Sequence, residues 1–126
     1  MPPAPAARNV LVIEDDLSTR ELYCAALKGG GYVVASVGEG LAGLRFIETG
    51  RPDAIVLDMS LPRLSGRDVL RELRANPATR DIPIIIVTGT DVSDVAEGAG
   101  IPVLKKPIDP EVFVHAVEAA VRRART

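Results

Sequence analysis

Five polar side chains stand just behind runs of apolar residues in this 126-residue chain. Glu14 and Asp15 follow Val10-Leu11-Val12-Ile13, and Asp58 follows Ala54-Ile55-Val56-Leu57. Thr88 follows Ile84-Ile85-Ile86-Val87, and Lys106 comes shortly after Ile101-Pro102-Val103-Leu104. Short unbroken apolar runs read as strands buried on both faces, as in a parallel sheet. Ligands of open α/β sheets bind outside the carboxyl ends of the strands, so these side chains should share one edge. Three carboxylates crowded there would hold one another's protons unless a cation sat among them. Hard oxygen donors suit Mg²⁺, which keeps several waters and takes one or two carboxylates directly. A lysine and a hydroxyl beside such a metal make a site for phosphoryl transfer. Asp58 would be the nucleophile, Lys106 and the metal would neutralise charge on the transferring oxygens, and Thr88 would donate a hydrogen bond to one of them.

The segments between these strands read as helices. Ser18 with Glu21 forms a capping-box pattern, which predicts a helix from there to Gly29-Gly30-Gly31, with Leu22, Ala25 and Ala26 inward and Cys24 at the margin. Tyr32 to Val37 reads as a further strand, and Glu39 to Thr49 as a helix with Leu41, Leu44, Ile47 and Phe46 on its apolar stripe. Gly40 and Gly43 weaken that helix. Gly66 to Ala75 carries Val69, Leu70 and Leu73 inward and stops at Asn76-Pro77, because the residue before proline avoids the helical region. Strands are expected over Ile82 to Val87 and Ile101 to Leu104, with only one or two helical turns over Val92 to Gly100. Asp109 caps a last helix that begins at Pro110, a favoured first position. Its Phe113, Ala116, Val117, Ala120 and Val121 follow the spacing of one buried face. Alternating strands and helices predict a doubly wound (βα)5 sandwich, most simply a five-stranded parallel sheet in the flavodoxin-like order 2-1-3-4-5. Residues 1–8, rich in proline, are expected to be a disordered lead-in to one domain over 9–126.

Composition narrows the function. The chain is 47% hydrophobic but only 3% aromatic, so its core is aliphatic. A net charge of −2 argues against direct nucleic-acid binding, which calls for a basic face. The Arg122-Arg123-Ala124-Arg125 cluster suits a solvated helix end favoured by the helix dipole. One cysteine, Cys24, forms no internal disulfide and suits a reducing compartment. The apolar runs are far too short to span a bilayer, and the start lacks the charged and apolar regions of a secretory signal. A cytoplasmic protein is expected.

Taken in order, Leu11-Val12-Ile13-Glu14-Asp15-Asp16, Ile55-Val56-Leu57-Asp58-Met59-Ser60-Leu61-Pro62 with Gly66, Val87-Thr88-Gly89 and Lys106-Pro107 resemble the receiver domain of bacterial two-component response regulators. The resemblance spans roughly residues 9–125. It implies that Asp58 is the phosphoacceptor, served by a histidine kinase or a histidine phosphotransfer protein. Glu14 and Asp15 would be the acidic pair, with Asp15 and Asp58 binding Mg²⁺, Glu14 acting through water, and the Ser60 carbonyl completing the ligands. Thr88 and Lys106 would bind the phosphoryl oxygens, and Lys106-Pro107 would be a cis peptide, a geometry that proline makes accessible. The resemblance also implies a signalling domain without exogenous turnover, a stand-alone receiver or one excised from a longer regulator. Two features depart from the family. Val103 occupies the position, three before the lysine, where an aromatic is usual, and a β-branched side chain has few rotamers for a switch. Thr88 and Lys106 are separated by eighteen positions, a few fewer than usual, and the shortage falls in Val92 to Gly100. Two rival readings are a degenerate receiver acting as a binding module and a phosphatase with an aspartyl nucleophile. The second would want an acid close behind Asp58, where Met59 and Ser60 stand, and a substrate cap.

Overall fold

The structure is a computed structural model, and it describes residues 8–89 and 100–124. Five strands, β1 (Asn9–Ile13), β2 (Val33–Val37), β3 (Ala54–Asp58), β4 (Ile84–Thr88) and β5 (Val103–Lys105), form one sheet in the order β2-β1-β3-β4-β5. Every pairing is parallel, with Ile13 beside Val37 and Leu57, Asp58 beside Val87, and Thr88 beside Lys105. Among the described residues, four helices connect or follow the strands: α1 (Leu17–Gly29), α2 (Gly40–Gly50), α3 (Gly66–Ala75) and α4 (Pro110–Ala124). The strand order and the parallel pairing are those the sequence predicts.

Alternation along each strand divides the core into two layers. Leu11, Ile13, Ile55, Leu57, Ile84 and Ile86 face α2 and α3, against Ile47, Val69, Leu70 and Leu73. Val10, Val12, Val56, Ile85 and Val87 face α1 and α4, against Tyr23, Leu27, Phe113 and Val117. Full burial of each such aliphatic side chain contributes about 1.5–3 kcal/mol, which is how a core with few aromatics suffices. Among the described residues no helix is long and apolar enough to cross a membrane.

Two helices differ from expectation. The first, α1, starts at Leu17 and is capped by Asp16, whose carboxylate accepts the Thr19 amide at 2.9 Å. Ser18 and Glu21 form no capping box. Its buried residues are Tyr23 and Leu27, whereas Leu22 is 52% exposed and Ala25 lies on the solvent side. Residues 22–27 are apolar without a gap and so encircle the helix. The side that packs is chosen by Tyr23, whose ring sits 4.7 Å from that of Phe113 on α4.

In α2 the expected Ile47 is buried and Leu44 and Phe46 pack beside it, but Leu41 faces solvent and Gly40 and Gly43 are buried in addition. A Cβ on Gly43 would stand 2.5 Å from the Ile13 side chain, and one on Gly40 2.8 Å from the Leu64 carbonyl. Gly43 therefore lets α2 lie close to the sheet, and Gly40 lets it lie close to α3 and the loop before it.

The other helices follow the sequence. Ser65 and Asp68 make a reciprocal capping box on α3, and Asn76 leaves it in an extended conformation before Pro77. Asp109 accepts the Glu111 amide at 2.8 Å at the start of α4. Strand limits shift slightly: β2 begins at Val33, β4 at Ile84 after Pro83, and β5 at Val103. The expected lead-in and the segment from Val92 onward fall largely on positions 1–7 and 90–99, outside the described residues.

Candidate functional site

The carboxyl ends of β1, β3 and β4 bring their polar residues together in a setting that is mostly buried. Glu14, Asp58 and Thr88 are the buried polar residues among those described, at 0%, 1% and 1% exposure. Glu14 comes directly after β1, and its amide still donates to the Val37 carbonyl of β2 at 3.1 Å. Asp58 is the last residue of β3, next to β1 in the sheet. One carboxylate oxygen from each of Glu14, Asp15 and Asp58 lies within 4.8 Å of the others, with Asp15 exposed. These are hard oxygen donors, two buried and one exposed, a set that fits a small divalent cation.

Lys106 reaches this cluster from beyond β5. Its Nζ is 2.6 Å from Glu14 Oε1 and 3.6 Å from Asp58 Oδ2. Its amide donates to the Thr88 carbonyl at 2.7 Å, which extends the β4–β5 ladder one residue past the strand. The Lys106–Pro107 peptide is cis, as the resemblance implies. Burial pushes the Glu14 carboxyl up to about 7, a proton shared with Asp58 adds to that, and the hydrogen bond from Lys106 opposes it. Burial alone would lower the Lys106 ammonium, but the bond to Glu14 and the nearby charge of Asp58 outweigh it and hold it above the ordinary lysine value. Lys106 thus stays charged and places a cation directly against the carboxylates.

Backbone groups orient the acids. The Ser60 amide donates to Asp58 Oδ1 at 3.0 Å and the Asp16 amide to Glu14 Oε2 at 3.2 Å. Gly66 lets the loop after β3 pass close by, since a Cβ there would lie 2.5 Å from the Asp58 carbonyl and from Met59 Cα. All six residues singled out from the sequence therefore lie at one edge: Glu14, Asp15, Asp58, Ser60, Thr88 and Lys106. Sequence reasoning did not separate Asp16 from its acidic neighbours. Its carboxylate caps α1, accepting the amide and the hydroxyl of Thr19, and those bonds hold its pKa below the usual carboxylate range. The signal was present as an aspartate three residues before a threonine at a helix start.

A response regulator receiver domain model matches residues 10–118. The DNA-binding response regulator MtrA of Mycolicibacterium paratuberculosis is 36% identical over 120 residues, covering 92% of this chain and 52% of MtrA. The response regulator MprA of Mycobacterium ulcerans is 38% identical over 121 residues, covering 93% and 51%. The chain spans about half the length of these curated relatives. Among solved structures, the receiver domain of the sensor histidine kinase PA1611 from Pseudomonas aeruginosa is 30% identical, with a TM-score of 0.83 over 93% of this chain and 99% of that one. It holds a magnesium ion coordinated in its active-site cleft.

Proposed function

This chain belongs to the response regulator receiver domain family, and from that premise we propose that Asp58 is its phosphoacceptor and that residues 9–126 form the receiver unit. The observation that carries the reading is the buried Asp58 carboxylate, with two further acids beside it and the Lys106 ammonium 3.6 Å away. The phosphoryl donor is a phosphohistidine of a histidine kinase or a phosphotransfer protein, met in the cytoplasm. An Asp58 oxygen forms the new bond to phosphorus as the P–N bond breaks, and the imidazole leaves with the electron pair and takes up a proton. Ser60's amide, bound to Oδ1, leaves Oδ2 to attack. Lys106 moves from the carboxylates to the transferring oxygens, and Thr88, at the end of β4, donates to one of them. Asp15 and Asp58 would hold Mg²⁺ directly, Glu14 through water, with the Ser60 carbonyl as a further ligand. When bound, the ion offsets negative charge on the phosphoryl group.

Output then passes through a contact made by the phosphorylated surface or through onward relay. DNA binding is a property of the longer MtrA protein; the −2 net charge of this chain supports a receiver that itself meets protein. Incubation with acetyl phosphate and Mg²⁺, followed by intact mass, should show one phosphoryl adduct that Asp58→Asn lacks. Absence of both adduct and Mg²⁺ binding would instead indicate a binding module. Turnover of an added phosphomonoester would indicate a hydrolase.

A further inference from the structure

The β1–β2 ladder stops at a place the site depends on. Its last register pair is Ile13 with Val37, and the Glu14 amide adds one more bond, to the Val37 carbonyl. In a parallel ladder the Glu14 carbonyl would next accept from the amide of Glu39. By then the chain has left β2, because Glu39 is the residue that precedes α2. Buried backbone carbonyls need a donor, and here a side chain supplies it: Arg20 Nη1 donates to the Glu14 carbonyl at 3.0 Å. Arg20 comes from the first turn of α1, where its own amide bonds the Asp16 carbonyl at 2.8 Å. Its guanidinium occupies a slot left by a missing side chain, since a Cβ on Gly38 would lie 2.6 Å from Nη1. The segment that carries Glu14 and Asp15 is thereby fastened to β2, to α1 and, through Glu14, to Lys106.

We infer that Arg20, seated in the Gly38 slot, is a positioning residue that holds the Glu14–Asp15 turn in the geometry that binds the divalent cation. This rests on the metal-binding reading of the cluster proposed above. The charge of Arg20 and its orienting bond act on Mg²⁺ binding in opposite directions. A cation beside a metal site repels the metal, so removing the Arg20 charge would by itself tighten Mg²⁺ binding. Loss of a bond that orients ligands weakens metal affinity, by about tenfold or more for such outer partners.

The test is Mg²⁺ titration by calorimetry on the full chain, with amide hydrogen exchange on the metal-free protein. Arg20→Met should weaken Mg²⁺ about tenfold and speed exchange of the Asp16 amide, which bonds Glu14 Oε2. Arg20→Lys, which keeps a charge and a donor, should recover most of both. Gly38→Ala, which displaces the guanidinium while keeping its charge, should resemble Arg20→Met. Unchanged or tighter Mg²⁺ binding in Arg20→Met, or a loss that Arg20→Lys does not recover, overturns the inference. A wild-type protein that binds no Mg²⁺ counts against the metal-binding reading instead, and the Asp16 exchange rate still decides whether Arg20 orders the turn.

Discussion

At the scale of single residues, the site combines groups that favour opposite charge states. Metal-free, Glu14, Asp15 and Asp58 share one ammonium, so removing a carboxylate should relieve repulsion while Lys106 keeps its 2.6 Å bond to Glu14. Asp58→Asn is expected to raise the melting temperature without Mg²⁺ by about 3–5 °C, the equivalent of roughly 1 kcal/mol for a domain of this size. Saturating Mg²⁺ should stabilise the wild-type chain and have little effect on that variant, because a ligand stabilises only the state that binds it. Calorimetry with and without the ion checks both. On the opposite layer, burial raises the Tyr23 phenol above its ordinary value of 10.0. The neutral form is thus favoured in the folded state, and its contribution is complete below pH about 10. It is lost as pH rises through the higher folded value. Tyr23→Phe should shallow the fall in stability on the alkaline side, read by denaturant melts at a series of pH values. The site acids were legible because a carboxylate directly after a buried strand has few structural uses. Arg20 was not, because its partner is a backbone carbonyl freed by a departure of the chain at Gly38, and no spacing in the sequence encodes that.

At the scale of elements, close approach explains what propensity did not. The nearest neighbours of a Cβ placed on Gly66 are backbone atoms that cannot easily move aside, the Asp58 carbonyl and Met59 Cα at 2.5 Å, with Met59 Sδ next at 2.8 Å. Gly66→Ala should cost about 2 kcal/mol, in the range of an overpacked core, and should shift the loop that carries Ser60. Denaturant midpoints and the acetyl phosphate adduct yield measure the two effects. Ser65→Ala removes half of the α3 capping box and should cost about 1 kcal/mol while leaving the adduct yield intact. Helices α3 and α4 were readable in register because their apolar residues are spaced by threes and fours between clear caps. The inward face of α1 was not, because its apolar run has no period. In α2 the expected Leu44, Phe46 and Ile47 do pack on the core, but Gly40 and Gly43 complete that face and a search for hydrophobic residues passes over them. Val103, partly buried against the α2–α3 layer, is a stiff side chain where the family usually places an aromatic one.

At the scale of the whole molecule, burial is graded across the sheet. All residues of β3 and β4 are buried, while edge strands β2 and β5 contain none that are fully so. Amides of β1, β3 and β4 should therefore exchange only on global unfolding, and those of β2 and β5 through smaller openings. Exchange followed by NMR would show the ranking, and equal protection across all five strands would contradict it. The strand order itself was legible, since parallel alternation and right-handed crossovers leave few arrangements. The bond from Lys106 to Glu14 joins positions 92 apart in the chain. A ribosome delivers the three acids well before it delivers their lysine, and domains settle as units once enough chain has emerged. A partly made copy therefore holds Asp58, the proposed phosphoacceptor, but lacks the ammonium that completes its surroundings. On the proposed reading, competence to accept a phosphoryl group thus arrives only with Lys106, the residue that follows the final strand.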